Sequence, residues 1–208
     1  MNGVDKDVRS LASRALELGA FAARPLSARE VIVDPRVLFK CRVPLCSSYG
    51  TNLMCPPFVT TAEQFTAVLQ RYSHAVVVQM AIPLSAADVK RRFRGKSLDK
   101  LVESKAYNKT LSDSQNAFAA LLTTLETEAL GMGYRFAAAL TGGDCCLCDS
   151  CVAVPGAAEA VPCRHPFAAR PSMEAVGIDV VRTAAAAGVP IEIPAADDPV
   201  WTGLLLVD

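Results

Sequence analysis

The stretch His74-Ala-Val-Val-Val-Gln-Met-Ala-Ile82 decides the fold that the sequence predicts. Its apolar residues follow one another without polar alternation, which is typical of a strand buried on both faces of a sheet. Shorter apolar segments predict further strands at 134–140, 189–193 and 202–207. Amphipathic patterns predict helices at 112–130 and 172–187. This alternation predicts an α/β fold with a mostly parallel central sheet flanked by helices.

The whole chain, residues 1–208, is expected to form a single α/β domain. A chain of 208 residues can bury a core without covalent cross-links, and we find no internal repeat or domain break. Two irregular segments rich in cysteine interrupt the pattern of helices and strands. They lie at about 41–58 and 141–171 and are expected to be two metal-binding loops on one core.

Composition and charge limit the location and the partners of the protein. The formal net charge is zero, which gives no general argument for binding nucleic acid or an acidic membrane. The sequence has no apolar run as long as a membrane span and no signal-peptide pattern, so we expect a cytoplasmic protein with reduced thiols. A basic stretch at 90–100 is most simply a solvated helix face, or alternatively a docking site for an acidic redox partner.

The second cysteine loop carries the strongest signal for a cofactor. Its cysteines at 145, 148 and 151 repeat the C-x2-C-x2-C run of bacterial ferredoxins, and Cys163 is a distant fourth ligand. This spacing favours a [4Fe–4S] cluster, because zinc sites more often use two separate C-x2-C pairs. Gly142 and Gly143 come just before the run, and we expect them to bring backbone N–H groups close to the cofactor. Zinc remains the alternative metal.

The first loop offers three more ligands, Cys41, Cys46 and Cys55, and is followed by Pro56-Pro57. Three thiolates suit a second cluster with one open iron, or a site completed by another part of the chain. Cys146 is the natural candidate for completion, since the ferredoxin-like set does not need it. The alternative is that Cys146 is a small buried apolar residue.

The segments 41–57 and 163–180 resemble the DUF2284 family of predicted metal-binding proteins. The resemblance rests on Cys55-Pro56-Pro57, on Cys163-Arg164-His165-Pro166 and on the run from Arg170 to Val180. It implies metal binding, with a cysteine triplet after a Gly-Gly turn, and names no reaction. Family members often carry Arg between the first two cysteines of the triplet, where this chain has Cys146.

Three functions remain open from the sequence. The first is an iron–sulfur protein in electron transfer, or a redox subunit that serves a partner enzyme. The second is an enzyme whose three-cysteine cluster acts as a Lewis acid on a small substrate. The third is a structural zinc-binding module. Near the second loop, His165 is expected to bond the backbone, while Arg164, Arg170 and Glu174 either bind an anion or hold the loop on the last helix.

Overall fold

The computed structural model describes residues 6–85, 87, 105–153, 161–191 and 198–208. These residues form five α-helices and four strands, with two short 3-10 helices at Ala28–Glu30 and Glu174–Val176. In chain order the α-helices and strands are α1 (Lys6–Glu17), β1 (Ala22–Ser27), α2 (Pro35–Arg42), α3 (Ala62–Leu69), β2 (His74–Ala81), α4 (Lys105–Gly131), β3 (Ala138–Leu140), α5 (Val180–Ala186) and β4 (Val200–Val207). The basic stretch at 90–100 lies outside the described residues.

The prediction of a mostly parallel sheet is wrong. The four strands lie in the order β1-β2-β4-β3, and every neighbouring pair is antiparallel. Strands β2 and β3 do run in the same direction, as a strand–helix–strand alternation suggests. However, β4 lies between them and pairs with both in the opposite direction. The fold remains α/β, but its sheet is antiparallel throughout.

Several boundaries also differ from the prediction. The strand expected at 134–140 is limited to Ala138–Leu140. Another strand was expected at 189–193; of this segment the structure describes residues 189–191, and they do not form a strand. The helix expected from 112 already includes Lys105, so Ser112 lies inside α4. The segment 172–187 divides into a 3-10 helix and α5, which Asp179 caps through its side chain.

Helices and loops cover both faces of the sheet, which explains the continuous apolar run of β2. Val76 and Val78 pack with α1 and α4 on one face. Ala75 and Val77 pack on the other face, against α3 and the segment that follows the second cysteine loop. All four side chains are fully buried. The sequence therefore identified a central strand correctly, although it did not reveal the strand's direction.

Short contacts attach both cysteine loops to the sheet layer. After β3, Thr141 forms an isolated bridge with Ser172, which fixes the two ends of the second loop side by side. Helix α2 carries Cys41 and begins at Asp34, whose side chain accepts a hydrogen bond from the N–H of Arg36. The Arg36 guanidinium also bonds this carboxylate, which lowers the pKa of Asp34 to about 2.

Candidate metal centre

The second cysteine loop begins where β3 ends, and its two glycines lie tightly against neighbouring elements. A Cβ atom on Gly142 would come 2.9 Å from the carbonyl oxygen of Thr202 in β4. Gly143 has φ +72, and a Cβ there would come 2.7 Å from the side-chain nitrogen of Gln115 in α4. The glycines thus let the chain turn closely past β4 and α4. Their direct role toward a cofactor stays a prediction.

All five cysteines of this loop line one cavity of about 370 Å³, together with residues of the first loop. They are the four of the predicted ferredoxin-like set, Cys145, Cys148, Cys151 and Cys163, and in addition Cys146. The first loop supplies Ser48 and residues 51–54 to the opposite part of the lining. The structure therefore brings the four residues of the predicted ferredoxin-like set together.

Backbone N–H groups donate to two of the four sulfurs of the ferredoxin-like set. The N–H of Leu53 lies 3.4 Å from the sulfur of Cys151, and the N–H of His165 lies 3.3 Å from that of Cys163. Such bonds stabilise the negative charge of a thiolate and are among the features that tune iron–sulfur clusters.

Burial and mutual charge act against ionisation of Cys145. Burial raises the pKa of its thiol, and the nearby Cys163, Cys148 and Cys151 raise it further. The backbone N–H of Leu147 lowers this pKa but does not offset burial. Several thiolates gathered in one place repel each other, and a bound cation would relieve that repulsion.

Side chains of the first loop hold it against the second loop. The amide of Asn52 donates to the carbonyl oxygen of Cys145 at 2.9 Å, and the hydroxyl of Ser48 donates to the carboxylate of Asp144 at 2.5 Å. Asn52 is buried, with 6% of its surface exposed. Sequence reasoning missed Asn52, although a polar amide between two cysteines of a loop is a signal for such a contact.

The three cysteines of the first loop lie near one another and next to the second set. The N–H of Cys46 donates to the carbonyl oxygen of Cys41 at 3.0 Å. Burial raises the pKa of Cys55 to about 12, and the charges of Asp144, Cys46, Cys41 and Cys145 act in the same direction. Cys55 therefore lies between the rest of the first set and the start of the second.

Cys146 lines the same cavity as the ferredoxin-like set and also contacts α4. Its sulfur donates to the side-chain oxygen of Gln115 at 3.3 Å, and its carbonyl oxygen accepts from Asn116 at 3.2 Å. Burial raises the pKa of this thiol to about 11. Gln115 is buried and also donates to the carbonyl oxygen of Gly142, so it anchors the start of the loop. In the sequence, the signal for this anchoring role is that Gln115 is a polar residue on the otherwise apolar face of α4.

The charged residues around the second loop support its backbone. Arg164 donates to the carbonyl oxygen of Ser150 at 2.8 Å. Arg170 forms a two-bond ion pair with Glu126 of α4, at 3.0 and 2.8 Å. The loop is therefore held on the long helix α4, whereas the sequence suggested the last helix. His165 lines the cavity and donates its backbone N–H to Cys163.

The candidate donors at the cavity are mainly cysteine sulfurs. Within the described residues, no three His, Cys, Asp or Glu side chains converge closely enough to hold one metal ion. The four thiols of the ferredoxin-like set, with backbone N–H groups donating to two of them, have the ligand chemistry of an iron–sulfur cluster. The residues present therefore suit an iron–sulfur group.

Comparison with known proteins supports metal binding. Residues 24–207 match the DUF2284 family, which is described as "Predicted metal-binding protein". No curated protein and no solved structure matches the chain significantly. Among the described residues, no helix is both long and apolar enough to cross a membrane. Because the family match spans most of the chain, the protein belongs to the DUF2284 family of predicted metal-binding proteins.

Proposed function

We propose that the chain is an iron–sulfur protein that acts in electron transfer or as a redox subunit of a partner enzyme. A [4Fe–4S] cluster would be held by four of the five cysteines that line the cavity, those at positions 145, 148, 151 and 163. The observation that carries this proposal is the grouping of these thiols around one cavity, with backbone N–H groups donating to two of their sulfurs. The cluster would supply one-electron redox chemistry.

The ligand set supports iron–sulfur over zinc for two reasons. Soft thiolates bind both iron–sulfur clusters and zinc ions. However, the overlapping C-x2-C-x2-C spacing is the pattern of ferredoxins, whereas zinc sites more often have two separate C-x2-C pairs. In addition, backbone N–H groups donate to two of the four sulfurs. N–H donors to the sulfurs, from Leu53 and His165, would stabilise the added negative charge of a reduced cluster.

The spacing of the first-loop cysteines suggests a second candidate function. Cys41, Cys46 and Cys55 would supply three thiolates to a second centre, while the sulfur of Cys146 is bonded to Gln115 on α4. In this proposal Cys146 is not a ligand. Three thiolates would leave one metal position for a non-thiolate ligand or a small substrate, which is what Lewis-acid chemistry requires.

Two cysteine variants test the proposal by iron and sulfide analysis of anaerobically purified protein. Cys148→Ala should remove the iron and acid-labile sulfide of the second-loop cluster, because it deletes one of the four thiolates assigned to that cluster. Cys146→Ser is the matched control: Cys146 lines the same cavity, but its sulfur is bonded to Gln115, so this variant should retain the wild-type content. Unchanged iron and sulfide in Cys148→Ala would contradict the ligand assignment. Bound zinc without sulfide would instead indicate a structural zinc module.

A further inference from the structure

Helix α2 and the turn that follows it expose three large apolar side chains. Phe39 is 60% exposed, Val43 is 56% exposed and Leu45 is 70% exposed. Phe39 and Val43 are one helical turn apart, because the N–H of Val43 donates to the carbonyl oxygen of Phe39 at 3.0 Å. Single exposed apolar residues are ordinary, but a cluster of them is typical of an interaction site. We refer to residues 39–45 as the α2 surface.

The α2 surface is also basic. The segment 35–62 contains three basic residues, Arg36, Lys40 and Arg42, and no Asp or Glu. Arg36 is paired with Asp34 at the start of the helix. Lys40 and Arg42 are exposed, and neither forms a salt bridge with another described residue. The chain as a whole has no formal net charge, so this positive charge is a local feature.

The α2 surface belongs to the first cysteine loop. Cys46 follows it directly and, of the eight cysteines, is the one that is exposed. Further along the same loop, the amide of Asn52 donates to the carbonyl oxygen of Cys145, and the N–H of Leu53 donates to the sulfur of Cys151 at 3.4 Å. A partner bound to the α2 surface would therefore contact the loop that reaches one of the sulfurs assigned to the cluster.

Neighbouring contacts hold the α2 surface in one shape. The guanidinium of Arg42 lies over the ring of Tyr49, 5.6 Å from its centre. The N–H of Cys46 donates to the carbonyl oxygen of Cys41 at 3.0 Å. Helix α2 packs against α3 and against the 3-10 helix Glu174–Val176. A surface fixed in this way loses little conformational entropy when a partner binds.

We propose that the α2 surface is the docking site for an acidic redox protein that exchanges electrons with this chain. The inference rests on the proposed function, because docking for electron transfer requires a cluster in the protein. The apolar side chains would be buried against the partner, and Lys40 and Arg42 would attract carboxylates around that contact. In the transfer, the partner's reduced flavin or iron–sulfur group loses one electron and the oxidised cluster gains it.

A protein partner fits the α2 surface better than a lipid surface does. Segments that bind anionic lipid typically carry a cluster of roughly 4–8 basic residues, whereas this surface has Lys40 and Arg42. Two cations beside an apolar centre are enough to orient a small acidic protein, because opposite charges steer the encounter and apolar contact then holds the complex.

Stopped-flow kinetics of the anaerobically purified protein test the proposal, with an acidic flavodoxin as the probe. Reduced flavodoxin is mixed with oxidised protein, and oxidised flavodoxin with reduced protein, so that one transfer is downhill whatever the potential of the cluster. The wild-type rate should fall as salt is added. Lys40→Glu should lower the second-order rate constant at low ionic strength by about tenfold, since it reverses a steering charge. Phe39→Ser should lower it by a similar factor, because it removes apolar contact.

Arg135→Glu and Phe136→Ser are the matched controls. They too are a basic and an aromatic residue adjacent in sequence, and Phe136 is 61% exposed, but they precede β3, whereas the second cysteine loop follows it. Both should react with flavodoxin as the wild type does. Iron and sulfide analysis of every variant verifies that the cluster is retained. Should Phe39→Ser lose the cluster, Leu45→Ser, which lies beyond the helix, takes its place.

Each outcome decides the inference. Lys40→Glu and Phe39→Ser proteins that react as fast as the controls, or a wild-type rate that does not change with salt, would overturn it and leave the proposed function standing. A wild-type protein without iron and sulfide would overturn the proposed function itself, and the inference with it. Binding of the wild type, but not of Phe39→Ser, to vesicles of phosphatidylserine and phosphatidylcholine would assign the surface to lipid instead. A wild-type dimer that Phe39→Ser disperses in analytical ultracentrifugation would assign it to a second copy of the chain.

Discussion

Arg170 and Glu126 show how single side chains hold the cysteine-rich region on the fold. Their side chains are 13% and 17% exposed, and the two charges are joined by two hydrogen bonds. Glu126 also accepts a hydrogen bond from the N–H of Ala139 in β3, at 2.6 Å. The pair therefore connects the end of the second cysteine loop to α4 and to the sheet. Removing one partner would leave a largely buried charge unpaired.

We expect Arg170→Met to lower the free energy of unfolding by roughly 3 kcal/mol, since breaking a buried pair is far more costly than breaking an exposed one. Urea denaturation followed by circular dichroism measures this loss. Lys109→Met is the matched control, because Lys109 and Asp113 form an exposed pair in α4, and it should change stability by less than about 1 kcal/mol. Equal stability of the two variants would contradict this role for Arg170.

The cysteine positions show how much of the candidate site could be predicted at the residue scale. The spacing of Cys145, Cys148 and Cys151 indicates a common centre, because residues so near in sequence stay near in space. The neighbours of Cys146 could not be predicted in this way. Gln115 reaches Cys146 from a helix 31 residues away, and such contacts depend on the packing of elements.

At the scale of elements, sequence pattern predicts burial better than strand direction. The apolar runs of β2 and β4 mark strands covered on both faces, and a central antiparallel strand has the same pattern as a parallel one. Strand β1 was not predicted because Arg24 and Pro25 interrupt it, and proline is tolerated there since β1 is at the edge of the sheet. The order of the strands depends on β4 lying between β2 and β3, and a local sequence pattern does not predict which strands become neighbours.

Gly203 lets β4 lie close beneath α4, and this packing can be tested. A Cβ there would come 2.7 Å from the carbonyl oxygen of Leu140 and within 2.9 Å of the Phe118 ring. We expect Gly203→Ala to destabilise the protein by about 1–3 kcal/mol through overpacking, seen as a lower urea midpoint.

Gly131→Ala is the control for this substitution. Gly131 ends α4 with open space around it, so an added methyl group should be neutral or stabilise by up to about 1 kcal/mol. A Gly203→Ala protein as stable as Gly131→Ala would show that the sheet tolerates a side chain at position 203.

At the scale of the whole molecule, the central feature is that two distant loops form one cysteine-rich region. Asn52 bonds Cys145 across 93 residues, and Leu53 bonds Cys151 across 98. Cys55 is close enough to Cys145 for that thiolate to contribute to its raised pKa. Two metal centres in this region would suit transfer of electrons between them, which is consistent with the proposed redox role.

Native mass spectrometry of the anaerobically purified wild-type protein tests the central claim most directly, because it counts the inorganic atoms bound to the intact chain. The account predicts a mass increase that corresponds to iron and sulfide in equal numbers, with a cluster on the second loop and a further centre on the first. A chain that carries zinc ions without sulfide, or no metal at all, would contradict it.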